Sequence, residues 1–345
     1  MGKAIRNKKL KVTSLFCGCG GMDLGIQGDF NFLGKHFEEL PFEVVYAADN
    51  DSYATAIYNS NFEHKCETKD VRDIEPSKIP DHDILLGGFP CQSFSISAQN
   101  PPRLGYKDER GKLFFEMVNV LKEKQPRFFI GENVKGLLSA NKGQAFPMIV
   151  KEFEKAGYYI HHKLLNASEF GVPQKRERVF IVGFREFDDY FKFRFPQPNT
   201  LNGSKVKLKQ VIDPQADQDD KWFFSKRAVE GMLRVREKMN KGRVQDLEQP
   251  CNTISSHLAK VSLNGTDPVL MVDGKYRRFT PREAANIQSF PESFKLDVVS
   301  ENRQYRAIGN AVPPVLMWHV ANALVKSCSV EKPKEVKEKK EGVLS

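Results

Sequence analysis

The chain has 345 residues, 40% hydrophobic and 28% charged, a globular balance with room for one large domain and a smaller one. No run of about 18 apolar residues offers a membrane span, the basic start MGKAIRNKKLK lacks the apolar stretch of a secretory signal, and six sparse cysteines form no disulfide ladder and fit a reducing compartment. The net charge of +9, from 53 basic and 44 acidic side chains, favours a polyanionic partner.

In chain order, Lys11 to Phe16 reads as a strand that runs into Cys17-Gly18-Cys19-Gly20-Gly21 and a helix from about Met22 to Gln27. Glu43 to Ala48 predicts a second strand ending at Asp49, and Tyr53 to Asn59 a helix. Asp83 to Leu86 predicts a strand entering Gly87-Gly88. Leu113 to Lys124 reads as a helix, Arg127 to Ile130 as a strand, Phe146 to Ala156 as a helix and Val179 to Gly183 as a strand. Strands alternating with helices imply an α/β fold, a doubly wound and mostly parallel sheet covered on both faces. The rhythm breaks at Pro196-Gln197-Pro198-Asn199-Thr200, and no βαβ pattern returns before about Lys275. The expected division is therefore a large domain over residues 1–195 and a second, smaller domain over 196–275, with a Lys/Glu-rich frayed tail over 329–345. Lys226 to Arg243 carries seven basic residues, among them Arg234 and Arg236, on a helical stripe that could follow phosphates.

The chemistry concentrates at strand ends. A Gly-rich turn after the first strand brings backbone N–H groups to a nucleotide-like ligand, but Asp23 stands where a third glycine would suit a dinucleotide pyrophosphate. Asp49 is placed to grip ribose hydroxyls and Asp70 to accept from an adenine amino group. Two carboxylates and a Gly turn suit an adenosine cofactor without phosphates, which points to S-adenosylmethionine. Cys17 and Cys19 have no matching pair at zinc spacing, so no metal is expected. In Gly88-Phe89-Pro90-Cys91-Gln92-Ser93, Pro90 restricts the backbone and presents a single thiol to the cleft. Glu132 follows the strand Arg127 to Ile130, and Arg176 and Arg178 enter the strand Val179 to Gly183 on one face.

With these motifs in order, the sequence resembles the DNA cytosine-C5 methyltransferase family. FCGCGG, AADND, KDV, GGFPCQSFS, RGKLFFE, ENVKG, QKRERVF, RRFTPREAANIQSFP and QYRAIGNAVPP carry the resemblance over about residues 11–325, apart from 196–275. It implies a methyltransferase fold with the catalytic and cofactor domain over 1–195, a target-recognition domain over 196–275, a segment over 276–298 that braces it and a return to the catalytic domain over 299–328. It also implies Cys91 as the thiolate that adds to C6 and makes C5 nucleophilic. Glu132 is then the acid at N3, Arg178 the donor to O2, and Arg176 a neighbouring stabiliser. It maps Phe16, Gly18, Gly20, Asp49, Asn50, Asp70, Val71, Leu113 and Asn310 onto the cofactor site. Asn50 departs from the family's frequent bulky apolar residue, and Lys69 from a small one.

The implied substrate is double-stranded DNA with the cytosine flipped out of the stack. With so little chain ahead of the first strand, a stand-alone prokaryotic modification enzyme is expected. It would be cytoplasmic and monomeric, with a separately encoded restriction endonuclease as functional partner. Asn252, Thr253, Ser255, Ser256 and His257 are expected to contact bases or brace the recognition loops. A tRNA-modifying relative, a non-catalytic DNA-binding relative and a nicotinamide dehydrogenase remain as alternatives. The last explains neither Pro90-Cys91-Gln92 nor Gln174 to Arg178.

Overall fold

The computed structural model describes residues 9–90, 109–198, 205–234, 243–258 and 267–327. Along the chain, β1 (Leu10–Leu15), α1 (Gly21–Gln27), the hairpin β2 (Phe30–Phe32) and β3 (Lys35–Phe37), β4 (Phe42–Asp49), α2 (Ser52–Asn61), β5 (Cys66–Thr68) and β6 (Ile84–Gly87) come first. Then follow α3 (Glu109–Lys124), β7 (Phe128–Val134), α4 (Ala145–Lys155), β8 (Tyr159–Asn166), β9 (Gln174–Lys175), β10 (Glu177–Phe184) and α5 (Phe187–Lys192). Beyond them lie α6 (Lys226–Arg234), β11 (Cys251–Asn252), β12 (Leu270–Val272), β13 (Lys275–Arg277), α7 (Pro281–Ile287), α8 (Glu301–Asn310) and α9 (Pro314–Ser327).

Side chains alternate across each strand, and here both faces are apolar, so both must be covered. Val12, Ile84, Leu86, Phe128, Ile130, Phe180 and Val182 join one core with Ile26 of α1, Ile57 of α2 and Val315 and Val320 of α9. Leu15, Leu85, Phe129, Val179 and Ile181 face the other way, against Phe114 and Met117 of α3 and Phe153 of α4. The resulting sheet has seven strands in the order β5-β4-β1-β6-β7-β10-β8. Its first five strands are parallel, and β10 runs antiparallel to both neighbours. The expected α/β, doubly wound and mostly parallel architecture is what forms.

Two local readings are corrected, and two elements are added. β7 does not stop at Ile130. Pairing of Glu132 with Phe180 and Asn133 with Val179 carries it to Val134, so Glu132 sits inside the strand end. Arg176 and Arg178 do not share one strand: Arg176 falls in the break between β9 and β10. β8 and the β2–β3 hairpin are elements that the sequence pattern did not reveal. β8 is an edge strand with only Leu165 buried, so YIHHKLLN shows no clean alternation.

Residues 205–258 form no layer of their own among the described residues. They run through 3-10 turns at Leu208–Val211, Pro214–Gln218 and Asp220–Trp222. Leu208, Val211, Cys251, Ile254 and Leu258 bury into the same core as β1 and α9. β11 pairs in parallel with β9. The basic helix is seen to Arg234; Arg236, Lys238 and Lys241 lie outside the described residues, as does the 329–345 tail. No helix among the described residues is long and apolar enough to cross a membrane.

The segment expected to brace this region is itself strongly braced. Thr280 caps α7 by accepting from Glu283 N at 3.1 Å, while Glu283 accepts from Thr280 N at 2.7 Å. The buried Glu283 also receives both Nη atoms of the fully buried Arg277 at 2.9 Å, and Arg277 Nε lies 2.6 Å from Asp217.

Candidate active site

From β1 the chain moves to β4 and β5 on one side and to β6 and β7 on the other. An open parallel sheet with such a reversal leaves a crevice beyond the strand ends. A cleft of about 490 Å³ occupies that place, lined by Phe16, Gly18, Asp49, Asn50, Pro90, Glu132, Arg176, Arg178 and Asn310 among others. Nine of the predicted site residues thus come together. A larger cleft, about 720 Å³ between the β2–β3 hairpin and Phe290–Phe294, holds none of them.

One wall is the turn after β1. Phe16, Gly18 and Gly20 all take left-handed backbone conformations, with φ of 57°, 56° and 92°. For Phe16 that conformation is strained, a condition that rigid surroundings must hold. Gly20 is required twice over, because a Cβ there would also meet the Phe62 ring. The turn aims Gly18 N at Asp49 Oδ2, 2.9 Å away, and Asp51 N donates to Asp49 Oδ1 at 2.8 Å. Burial nevertheless raises the Asp49 pKa above the usual carboxylate value. Asp51 caps α2, accepting from Tyr53 N and Ala54 N, and meets Arg306 across the rim at 3.4 Å.

Beneath the turn, Asp23 is fully buried between Ser14 Oγ at 3.0 Å and Tyr58 Oη at 3.1 Å. Burial pushes its pKa up to about 6. Cys17 and Cys66 sit 3.1 Å apart at sulfur. Burial drives the Cys17 thiol up and the Cys19 thiol to about 12, which leaves both protonated and poorly nucleophilic at neutral pH.

The other wall is built by β6, β7 and β10. Glu132 Oε1 and Arg178 Nε form an ion pair at 2.9 Å, each side chain 11% exposed. Burial raises the Glu132 pKa, while the charges of Arg178 and Arg176 pull it back. Arg178 Nη1 donates to Glu177 O at 2.8 Å. Asn133 Nδ2 donates to Phe89 O at 2.9 Å and so fixes the chain just before Pro90 on the cleft wall. Cys91 is the next residue and lies outside the described residues. Arg176, 2% exposed, directs its guanidinium to backbone carbonyls: Ile254 O at 3.0 Å, Gly309 O at 2.9 Å and Ala311 O at 3.0 Å.

Four predicted residues do not line the cleft. Gly20 packs on Phe62 and Tyr58. Asp70 caps the turn at Val71–Asp73 and pairs with Arg72 at 2.8 Å. The Arg72 hydrogen bond holds its carboxyl down at about 2, and Asn50 also touches it. Val71 and Leu113 belong to the core on the α3 side. Asn133, Asp51 and Arg306 are contributors that sequence reasoning did not single out. The D-S start of a helix signals the Asp51 cap, and Asn133 and Arg306 sit within motifs already quoted. Of the expected recognition residues, Thr253 Oγ1 donates to Lys175 O at 2.7 Å and Ser255 Oγ to Asp267 at 2.6 Å, so both brace the loop. No group of three or more metal-binding side chains converges among the described residues.

Comparison with known proteins supplies further findings. The family described as C-5 cytosine-specific DNA methylase matches residues 10–326. The chain is 37% identical over 352 aligned positions to "Type II methyltransferase M.FnuDI" of Fusobacterium nucleatum, covering 95% of this chain and 98% of that one. It is 33% identical over 331 positions to "Type II methyltransferase M.Bsp6I" of Bacillus sp. (strain RFL6), covering 92% and 99%. The fold is similar to that of the Entamoeba histolytica methyltransferase EhMeth, with a TM-score of 0.74 at 17% identity over 93% of this chain and 99% of that one.

Proposed function

The chain belongs to the C-5 cytosine-specific DNA methylase family, enzymes that methylate C5 of cytosine in DNA, and we propose that its cleft does so on a flipped-out base with S-adenosylmethionine as donor. One observation carries the reading: the buried Glu132–Arg178 pair faces the β1 turn and Asp49 across a single cleft, with Pro90 on its wall.

The cleft's donor set fits an adenosine cofactor. Asp49 presents a half-buried carboxylate braced by two backbone N–H groups. Phe16 offers an aromatic ring, and the space a Cβ would occupy on Gly18 has no heavy atom within 4 Å. Asp49 and Asp51 would repel a pyrophosphate. Phe16, Gly18, Asp49, Asn50 and Asn310 would hold the cofactor, with Asp70 reaching it through Asn50. When bound, it supplies an electrophilic methyl group.

The remaining work falls to side chains. The Cys91 thiolate forms a bond to C6, and the ring electrons gather at C5. Glu132, its carboxyl kept easier to protonate by burial, delivers a proton to N3 and so makes C6 electrophilic. Arg178 Nη2 donates to O2 as negative charge develops there. Once C5 carries the methyl group, its proton passes to water and the electron pair of that C–H bond re-forms the C5–C6 double bond. The Cys91–C6 bond breaks with the thiolate leaving, and N3 returns its proton to Glu132. Cys17 and Cys19 cannot substitute, being buried thiols with raised pKa values.

The curated relatives are Type II methyltransferases, which supports a modification enzyme that shields DNA from a separately encoded endonuclease; in this reading it would act as a monomer in the cytoplasm. Residues 196–275 would choose the cytosine. Their Lys and Arg side chains would hold phosphates. Grafting this segment onto a relative of different specificity should transfer the methylated sequence; an active hybrid that keeps its host's target contradicts the assignment. For the reaction itself, tritiated methyl groups should pass from S-adenosylmethionine to duplex DNA. Label in tRNA instead would move the chain to the RNA-modifying branch.

A further inference from the structure

Arg176 is buried, its charge reaches Glu132, yet its hydrogen bonds go to backbone carbonyls and to no carboxylate among the described residues. Its Nη1 holds Ile254 O and its Nη2 holds both Gly309 O and Ala311 O. The second pair flanks Asn310, on the cofactor cleft. The first belongs to the loop 251–258, which does not line that cleft. A parallel tie runs beside it. Gln174, fully buried, accepts from Ile254 N at 3.1 Å and donates to Gln288 at 2.8 Å, and Gln288 donates to Ile308 O at 2.8 Å. Ile254 is therefore gripped at both its N–H and its carbonyl.

The two segments also touch without an intermediary. A Cβ on Gly309 would lie 2.3 Å from the carbonyl carbon of Ser255. Only glycine lets the loop backbone cross α8 there, so the two segments pack backbone against backbone. Ser255 passes the constraint on to Asp267 at 2.6 Å.

We propose that Arg176 is a positioning residue that couples the cofactor arm around Asn310 to the loop 251–258, so that cofactor and DNA each tighten the other's binding. A guanidinium can span three carbonyls because its donors form a rigid planar fork; a lysine ammonium has one point of charge on a flexible stem and cannot. Coupling between sites is reciprocal, so it can be read from either ligand. The inference rests on the cofactor assignment of the cleft.

The test uses S-adenosylhomocysteine and duplex DNA containing the methylated sequence. In the wild-type protein, S-adenosylhomocysteine alone should slow amide hydrogen exchange at residues 254–258. It should also tighten DNA binding by on the order of 5–150-fold. In Arg176→Lys that ratio should fall toward one while each ligand still binds. A variant whose folding is merely weakened would lose affinity for both ligands and keep the ratio. An unchanged ratio in Arg176→Lys overturns the proposal. So does wild-type protein that binds S-adenosylhomocysteine without change at 254–258, a readout that needs no variant to fold. Failure of the wild type to bind S-adenosylhomocysteine overturns the cofactor assignment, and this inference with it.

Discussion

The two walls of the cleft hold charge by different means. On the β1 side, Asp49 is met by backbone N–H groups of Gly18 and Asp51. Those dipoles are fixed by left-handed turns and helix starts, and cannot give up a proton or move to another acceptor. On the β7 side, Glu132 is met by the side chain of Arg178, a partner that can shift toward a substrate oxygen as charge develops. Backbone-held charge suits the binding of a cofactor that is exchanged at every turnover. Charge held by a side chain in a buried setting suits proton chemistry, because the balance of burial against Arg178 sets how readily Glu132 is protonated.

Variants on the β7 side should therefore strike turnover, and variants on the β1 side should strike affinity. The largest effect is expected for Cys91→Ala: methyl transfer falls to background in a tritium assay, while S-adenosylhomocysteine and DNA still bind. Persistent turnover would remove the covalent step. Glu132→Gln comes next, lowering the single-turnover rate by on the order of 10²–10⁴-fold with little change in cofactor affinity by calorimetry. Equal losses in rate and cofactor binding would erase the distinction between the walls.

Asp49→Ala should do the converse, weakening S-adenosylhomocysteine binding by about 1–3 kcal/mol with a smaller effect on DNA. Unchanged affinity would make Asp49 a strand-end residue only. The effect furthest from the chemistry, on stability rather than turnover or affinity, concerns Asp23, beneath the β1 turn. Its pKa rises from 3.8 to about 6 on folding, so the folded state holds the proton more tightly. The resulting stabilisation is full below 3.8 and is lost as pH climbs through about 6. Asp23→Asn has no such titration. Relative to wild type, the variant should gain on the order of 3 kcal/mol as pH rises across that window, as urea unfolding at several pH values would show. A difference independent of pH would mean that Asp23 is not titrating there.

The residues that close this cleft were legible where periodicity and motif coincide. Strands buried on both faces read as short apolar runs, and the ligand-facing residues follow them at once: Phe16 after β1, Asp49 at the end of β4, Pro90 just past β6. Arg176 was legible as a motif residue but not in its role. Its acceptors lie 78 and 133 residues away in sequence, and backbone carbonyls carry no sequence signature. Asp70 was readable in either of two ways. Arg72, two residues on, already signalled a capped turn with its own ion pair. β8 escaped because a half-exposed edge strand need not alternate. Residues 205–258 were opaque for a related reason: 3-10 turns and single polar ties impose no period.

Bisulfite sequencing of unmethylated duplex DNA after incubation with the pure protein and S-adenosylmethionine tests the central claim most directly. Protected cytosines should recur at one position within one short sequence, and Cys91→Ala should protect none. Full conversion of every cytosine with the wild-type protein, or protection that survives Cys91→Ala, would contradict the account.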